Sequence, residues 1–203
     1  MIDASGPSMA AVATALGAAY LISAIPFGYL LLKVGRGGDI RKHGSGNIGA
    51  TNAFRTGGRA IGIATLALDI GKGALCVALA RWLTGSFPWE AAAAFASVLG
   101  HCYPIYLRFK GGKGIATGCG AYGVLAPIPM AGALAIFLAA LLITRMVSVG
   151  SIAAGLALPL LILWLRPEPA LLLSVAASVL LVITRHRANI SRIVAGSEHR
   201  IDG

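Results

Sequence analysis

The sequence has little charge for its size. Of its 203 residues, 12% are Asp, Glu, Lys or Arg, while 57% are hydrophobic. Soluble globular domains carry about 25% charged residues, so this chain does not have enough charge to cover a water-exposed surface. A soluble fold is therefore excluded, and the sequence predicts an integral membrane protein.

Aromatic residues are also scarce, at 7% of the chain, and acidic residues number 7 against 17 Lys and Arg. The resulting net charge of +10 would suit nucleic-acid binding only if basic residues shared a solvated face with aromatic residues that stack on bases. Here the basic residues lie between long apolar runs instead. We expect no nucleic-acid partner, and we interpret the charge first as a signal of membrane topology.

Several spacings that mark known chemistries are missing. Cys76, Cys102 and Cys119 lie singly in apolar runs, so they predict no disulfide or zinc site. The four histidines lack metal-ligand spacing, and none is followed five positions later by Asp, the spacing typical of acyltransferases that use acyl thioesters. Gly114 stands where a P-loop needs Ser or Thr. We therefore expect no metal, no cofactor and no ATPase.

The long apolar runs predict the fold. A spanning helix needs about 20 apolar residues, and about seven such helices would use most of the chain. We expect one all-α domain over residues 1–203, a polytopic transmembrane bundle with short loops. The fourth span is short enough that a re-entrant segment is an alternative. The spans are expected at about 10–32, 60–83, 89–107, 115–126, 130–143, 151–165 and 170–183.

The basic residues predict the orientation of this bundle. If the first hydrophilic loop is cytoplasmic, 14 of the 17 Lys and Arg residues are on the inside, since only Arg81 and Arg166 are outside and Lys72 is within a span. Lys and Arg are retained on the cytoplasmic side, most strongly in short loops. With about seven spans, the N-terminus is then outside and the C-terminus is cytoplasmic.

Glycine is concentrated in the same inner loops. The chain has 27 glycines, and they cluster with basic residues at 35–38, 42–52 and 110–114. Glycine allows successive backbone N–H groups to turn toward one point, which creates an anion-binding nest, and 111–114 directly precedes the fourth span as a helix N-terminus would. For any one loop, a flexible connector with topology-setting lysines is the preferred interpretation.

Two further inner segments favour a site. Residues 145–151 carry Ser148 and Ser151, which could also be helix N-caps, and residues 185–198 carry further basic and polar groups, which could also form an interfacial helix. Every inner loop nevertheless offers hydrogen-bond donors to an anion, and no outer loop does. One shared anionic site on the cytoplasmic face is the economical hypothesis.

Asp69, Lys72 and His101 are ionisable residues that lie within the predicted spans. Asp69 and Lys72 are three positions apart, so they share one helix face and can neutralise each other. Charged groups inside a membrane are costly and usually face the protein interior. We expect a structural pair that restrains neighbouring loops rather than a catalytic one, and we expect His101 to be a hydrogen-bonded interior residue rather than a base.

Taken together, the inner motifs resemble those of the bacterial acyl-phosphate-dependent glycerol-3-phosphate acyltransferase. They occur in order over nearly the whole chain. The motifs are 39–52, 109–117, Arg145-x-x-Ser148-x-x-Ser151, 185–192 and Gly196-x-Glu198. The resemblance implies a seven-helix enzyme of the bacterial inner membrane whose active site faces the cytoplasm. It would transfer a fatty acyl group from acyl phosphate to position 1 of sn-glycerol 3-phosphate, giving lysophosphatidic acid and phosphate without a metal.

The resemblance also implies roles for single residues. Lys113, His186 and Asn189 would be catalytic. Glycerol 3-phosphate would be held by Ser45, Arg55, Ser148, His186 and Asn189, and acyl phosphate by Gly111, Gly112, Lys113, Gly114 and Thr117. A supporting set would comprise Asn47, Thr51, Asn52, Asp69, Lys72, His101 and Ser151.

Two questions stay open at this point. Acyl phosphate is already activated, so the demands are positioning and stabilisation of developing charge, and the proton of the attacking hydroxyl could go to His186 or to a substrate phosphate. Adjacent Arg185 and Arg187 should disfavour protonated His186. The competing function is an organic-phosphate transporter, which should have midplane binding groups and matching repeats. Here the basic motifs lie on one side and the sequence has no visible repeat.

Overall fold

The computed structural model describes residues 6–201, and every regular element in that range is helical. Two 3₁₀ turns lie at Ile40–Lys42 and Ile105–Leu107. The α-helices are α1 Met9–Ser23, α2 Phe27–Arg36, α3 Ala50–Gly57, α4 Arg59–Thr84, α5 Phe87–Cys102, α6 Ile115–Leu125, α7 Pro127–Thr144, α8 Val147–Leu165, α9 Pro169–Arg185 and α10 Arg187–Val194.

Several helices are long enough to cross a membrane. Four segments satisfy length and hydropathy together: Met9–Arg36, Arg59–Thr84, Pro127–Thr144 and Val147–Leu165. A fifth is present if α9 and α10, which meet at 58°, count as one span. The helices α5 and α6 have 16 and 11 residues. At ~1.5 Å per residue α6 extends roughly 16 Å, about half of the hydrocarbon thickness. The membrane bundle is thus established, and the count of seven stays a prediction.

Proline changes three of the expected boundaries. The first apolar run is divided at Pro26, which separates α1 from α2 because proline has no amide hydrogen to continue the helix. The third span ends at Cys102 rather than at 107, shortly before Pro104. The fifth span, expected from about 130, begins three residues earlier, because Pro127 occupies the first position of α7. A proline is well accommodated there, since the first helical amide has no intrahelical partner.

Four helices pack with their backbones in close contact, and we call α1, α4, α5 and α6 the platform. Gly73 in α4 faces the carbonyl of Thr117, and Gly120 in α6 faces the carbonyl of Ile70. A Cβ atom at either glycine would overlap that oxygen, and Gly100 of α5 meets α1 in the same way. Small residues commonly allow such approach between membrane helices. The platform is therefore fixed by backbone contact.

The helices α7 and α8 form a second unit, which we call the hairpin. They are connected through Arg145, whose φ of 57° is left-handed. The contact between them is close at Gly150, which packs on Phe137. Of the 18 residues in α7, Pro129 and Ala133 are the buried ones, whereas the 26-residue α4 of the platform buries nine. The helix α7 thus exposes most of its surface. Leu158 and Ile162 of α8 pack into a cluster with Leu171 and Val175 of α9, and a large cavity lies between the remaining inner face of the hairpin and the platform.

Candidate active site

A cavity of about 850 Å³ has a polar end and an apolar arm. The arm runs between the platform and the hairpin and is lined by Leu66, Ile70, Met130, Leu134 and Phe137, among others. The polar end is formed by the segments that precede and begin α3, α6 and α8 together with α10 and the C-terminal tail. Such a cavity can hold an amphiphile with an anionic head.

Thirteen of the 17 residues singled out from the sequence line this cavity. They come from segments up to 144 positions apart, from Ser45 to Asn189, and the fold brings them together. The cavity-lining members of the set are Ser45, Asn47, Thr51, Asn52, Arg55, Asp69, His101, Lys113, Gly114, Ser148, Ser151, His186 and Asn189.

The other four, Gly111, Gly112, Thr117 and Lys72, lie behind the wall of the cavity. The N–H of Gly112 donates to the carbonyl of His101 at 3.0 Å, so it is not free to hold an anion. Gly111 and Gly112 direct their carbonyls to Arg185. The amide of Gly112 is therefore engaged within the protein, and the role of residues 111–114 in holding acyl phosphate stays a prediction.

Thr117 and Lys72 face the platform interior. Thr117 lies on the side of α6 that packs against Gly73 and is fully buried. Lys72 donates to the carbonyl of Ile25 at 2.9 Å, next to the break at Pro26. Neither side chain reaches the polar end. For Thr117 the reason is helix phase, because its direction is set by the packing of α6 on α4.

Three helix N-termini open on the polar end. The first residues of α3, α6 and α8 all line the cavity, and none of these helices has a side-chain cap among the described residues. In α6 the N-cap position is Gly114, with a φ of 81° that glycine adopts without strain. Uncapped helix N-termini carry unpaired N–H groups and a partial positive charge. Their convergence creates a site for anions.

Lys113 adds a full charge at the same place. Its Nζ donates to Oδ1 of Asn189 at 2.6 Å. Burial lowers the pKa of Lys113 to about 8, and the positive charges of Arg192, Arg55 and Arg185 act in the same direction, against the opposing effect of Glu198. The ammonium is still protonated for the most part at pH 7, and an anion bound beside it would relieve its desolvation.

Glu198 organises the far side of the polar end, and the sequence analysis gave it no role. Its Oε1 accepts hydrogen bonds from Ser148 at 2.9 Å and Asn189 at 2.7 Å, and its Oε2 accepts one from Arg192 at 2.7 Å. Burial opposes ionisation, but these three donors lower the pKa of Glu198. The carboxylate thus orients two predicted substrate ligands, Ser148 and Asn189.

The sequence did contain a signal for Glu198, since it is one of 7 acidic residues and stands in the last inner motif. The tail brings further groups to the cavity, because His199 and Arg200 line it and the amide of Ile201 donates to the carbonyl of Arg145 at 2.7 Å. Sequence reasoning did not identify Arg192, His199 or Arg200 as cavity residues either.

His186 is almost fully buried between α9 and α10. Its Nδ1 lies 2.8 Å from the carbonyl of Val182, so in the neutral ring Nδ1 carries the proton and Nε2 is an acceptor. Burial, followed by the charge of Lys113, lowers the pKa of His186 to about 4. The ring is neutral at pH 7, although the adjacent arginines invoked from the sequence are not the cause: Arg185 is engaged with the loop at Gly111 and Gly112.

The first inner loop is held by Asn52. Its Nδ2 donates to the carbonyls of Ile40, His43 and Asn47, and its Oδ1 accepts from the amide of Ser45 at 2.9 Å. A single buried amide thus fixes the loop at both ends, and Ser45 is held at the cavity wall. Arg55, one turn further along α3, reaches the same cavity.

Comparison with known proteins identifies the family. A sequence model described as glycerol-3-phosphate acyltransferase matches residues 13–196. The chain is 47% identical to a glycerol-3-phosphate acyltransferase of Syntrophotalea carbinolica, over 90% of this chain and 94% of the relative. It is 46% identical to that of Geobacter sulfurreducens, over 90% and 93%.

A solved structure is similar over the whole bundle. It is PlsY, an integral membrane glycerol 3-phosphate acyltransferase in its glycerol 3-phosphate form, with a TM-score of 0.89 and 35% identity over 94% of this chain and 96% of that chain. Its lysophosphatidic acid form gives a TM-score of 0.86 at 34% identity, over 94% and 95%. The family model and the level of identity together show that this chain belongs to the glycerol-3-phosphate acyltransferase family.

Proposed function

We propose that this chain transfers a fatty acyl group from acyl phosphate to the 1-position of sn-glycerol 3-phosphate, giving lysophosphatidic acid and inorganic phosphate. The observation that carries the proposal is a single cavity in which three uncapped helix N-termini and Lys113 meet an apolar arm. Two phosphates and one acyl chain require this combination. Family membership and the two solved forms, named for glycerol 3-phosphate and lysophosphatidic acid, support the acceptor and the product.

Acyl phosphate binds in this proposal at Lys113 and the N-terminus of α6. The phosphate accepts from the first amides of α6, beginning at Gly114, and is countered by the Lys113 ammonium. The acyl chain lies in the apolar arm between the platform and the hairpin. Gly112 shapes the loop instead of donating to the phosphate, and Thr117 acts through the packing of α6.

Glycerol 3-phosphate binds on the opposite side of the polar end. Ser45 and Arg55 reach it from the first inner loop and α3, and Ser148, His186 and Asn189 reach it from α8 and the α9–α10 junction. Arginine suits a phosphate because its planar group donates two parallel hydrogen bonds. The supporting residues are Asn47, Thr51, Asn52 and Ser151, which lie around these ligands.

The reaction then depends on alignment. The 1-hydroxyl oxygen attacks the acyl carbonyl carbon, a C–O ester bond forms, and the C–O bond to phosphate breaks with its electron pair leaving on the phosphate. Lys113 and the α6 dipole stabilise the charge that develops on this leaving group. Holding both substrates in one cavity supplies the rest of the rate enhancement, because it converts a reaction between two separate molecules into a step within one complex.

The hydroxyl proton goes to a phosphate oxygen in this mechanism. Nε2 of neutral His186 has no hydrogen-bond partner within residues 6–201, but a group with a pKa of about 4 is a poor proton acceptor. A phosphate monoester, with a second pKa near about 6, binds the proton more strongly. His186 and Asn189 consequently serve to position glycerol 3-phosphate beside the carbonyl.

The chain is proposed to act as one domain in the bacterial inner membrane, with the polar end toward the cytoplasm. Fourteen of the 17 basic residues lie in the inner loops of the predicted arrangement, which has seven spans and an external N-terminus. Single cysteines introduced at 42 and 166 in a Cys-free variant test this. In intact spheroplasts an impermeant maleimide should label only position 166, and labelling of position 42 instead would contradict the orientation.

One assay tests the function directly. Purified protein in detergent is given palmitoyl phosphate and glycerol 3-phosphate, and phosphate release and lysophosphatidic acid are measured, with palmitoyl-CoA as the comparison donor. We expect equal amounts of both products with palmitoyl phosphate and none with palmitoyl-CoA. Absence of lysophosphatidic acid together with uptake of glycerol 3-phosphate into proteoliposomes would instead support the transporter.

A further inference from the structure

The mechanism leaves a buried charged cluster unused. Asp69 and Lys72 in α4 and His101 in α5 are 1%, 4% and 4% exposed. Nζ of Lys72 lies 2.8 Å from Oδ1 of Asp69, an ion pair without the alignment of a hydrogen bond, and its donor bond goes to the carbonyl of Ile25. Ionisable groups at this depth are costly and usually serve a specific purpose.

The carboxylate of Asp69 faces the imidazole of His101. Oδ1 of Asp69 is 3.7 Å from Nδ1 of His101, and neither atom has a hydrogen-bond partner among residues 6–201. Asp69 has Lys72 as its ionic partner, whereas Nδ1 of His101 is a buried polar atom without a partner in that range, which is rare in folded proteins. Both side chains line the active-site cavity, whereas Lys72 holds Asp69 from behind.

The opposite edge of the His101 ring touches the loop that carries Lys113. A Cβ atom added at Gly112 would overlap Nε2 of His101, and its three nearest atoms all belong to this ring. The backbone makes a second contact, because the carbonyl of His101 accepts the N–H of Gly112 at 3.0 Å. His101 therefore determines how far the loop approaches α5.

The loop is clamped from its other side by Arg185. Nε donates to the carbonyl of Gly112 at 3.0 Å and Nη2 to that of Gly111 at 2.7 Å. The two peptide groups before Lys113 are thus held between α9 and α5. Since Lys113 is the next residue, any shift of Gly112 toward the ring moves the ammonium out of line with the α6 N-terminus.

We propose that His101, whose ring lies between Asp69 and Gly112, is a positioning residue for acyl phosphate: its ring sets the place of Gly112 and hence of Lys113. The inference depends on the proposed function, because it assigns the loop 111–114 to the acyl donor. The proposal predicts different effects on the two substrates. Among the described residues, His101 contacts the donor loop and makes no hydrogen bond to Ser45, Arg55 or Ser148, which belong to the acceptor side. Loss of the ring acts first on the donor loop, and it reaches the acceptor side only through the hydrogen bond from Lys113 to Asn189.

The first test is a double-substitution cycle. Gly112→Ala puts a methyl group into the ring of His101, and we expect KM for palmitoyl phosphate to rise about 10- to 100-fold, the range for displacements near 1 Å. In the background of His101→Ala the same substitution has space and should change KM by less than about twofold. Gly111→Ala is the matched control. Its methyl group meets the carbonyls of His101 and Cys102, so removal of the ring should not relieve it.

The second test compares the two substrates. For His101→Ala alone we expect KM for palmitoyl phosphate to rise about 10-fold, while KM for glycerol 3-phosphate stays within about twofold. Ser97→Ala, one turn earlier in α5 and hydrogen-bonded only to Ala94, controls for loss of a buried polar group. Gel filtration and thermal unfolding establish whether each variant is folded. If His101→Ala does not fold, Gly112→Ala alone still tests the effect on the donor side.

The outcomes distinguish the two proposals. If the unsubstituted protein does not use palmitoyl phosphate, the proposed function fails, and this inference fails with it. If the unsubstituted protein does use palmitoyl phosphate, two results would contradict the positioning role. One is an equal impairment by Gly112→Ala with and without the His101 ring, and the other is an equal rise in KM for both substrates. In either case the cluster serves only helix packing.

Discussion

The platform and the hairpin meet the same cavity but are built differently. In the platform, glycines at 73, 100 and 120 bring helix backbones into contact, so a shift of one helix requires a shift of its neighbour. In the hairpin, α7 buries little beyond Pro129 and Ala133, and several of its large apolar side chains are exposed. The rigid side holds the loop of Lys113, where alignment matters, and the looser side lines the acyl arm, where the ligand is itself flexible.

The largest effect is expected for the charge that the platform presents. Lys113→Ala should lower kcat with palmitoyl phosphate by about 100- to 1,000-fold, as for loss of one group that stabilises a developing anion. Lys110→Ala is the control, since Lys110 is exposed in the same inner segment and does not line the cavity. Phosphate release measures both. Near-normal turnover by folded Lys113→Ala would remove this loop from the active site.

The packing difference itself is tested by alanine at platform glycines. Gly120→Ala should destabilise the protein by about 1–3 kcal/mol, because the methyl group overlaps the carbonyl of Ile70 and the backbones must separate. Gly71→Ala on α4 has nothing within 4 Å of the added methyl and should stay within about 0.5 kcal/mol. Unfolding in detergent by denaturant measures both variants. Equal stabilities would contradict a platform fixed by backbone contact.

A pH profile of activity tests the electrostatics of the loop that the platform holds. The pKa of Lys113 is lowered to about 8, and in the proposed mechanism the protonated form binds the donor, so activity should be present below pH 8 and fall above it. At one pH unit above the pKa, kcat/KM for palmitoyl phosphate should be about 10-fold lower. Lys113→Arg keeps its charge over this range, so its profile should lack this decline. A decline that persists unchanged in Lys113→Arg belongs to another group.

The sequence predicted most of the polar residues that line the cavity, for a clear physical reason. The motif residues stand in polar segments between apolar runs, and the membrane forces such segments to its surface, so Lys113 and Asn189 were expected on the same side although 76 positions apart. Contacts within that surface could not be predicted. The 50-residue separation of Ser148 and Glu198 carries no local pattern.

The direction in which backbone N–H groups point could not be predicted from the sequence either. Glycine has wide freedom in φ and ψ, so the residues at 111–114 are compatible with two backbone arrangements. In one, the amides face a bound anion, and in the other, one amide faces His101. The structure has the second arrangement at Gly112. For the same reason the side of α6 that carries Thr117 was set by glycine contacts with α4, which a single sequence does not specify.

The smallest effect is expected at the hairpin, and it concerns substrate range instead of rate. Gly155 in α8 lines the cavity, and nothing lies within 4 Å of a Cβ built there. Gly155→Leu fills part of the apolar arm without a clash, so stability should be retained. The ratio of kcat/KM for palmitoyl phosphate to that for decanoyl phosphate should fall by about 10-fold or less, as for modest changes in apolar pockets. Gly17→Leu, on α1 and equally unobstructed, is the control that should leave this ratio unchanged. An unchanged ratio in Gly155→Leu would mean that the chain does not lie along α8, whereas a lower ratio with intact stability would establish that the hairpin adapts to the acyl group while the platform holds the phosphate.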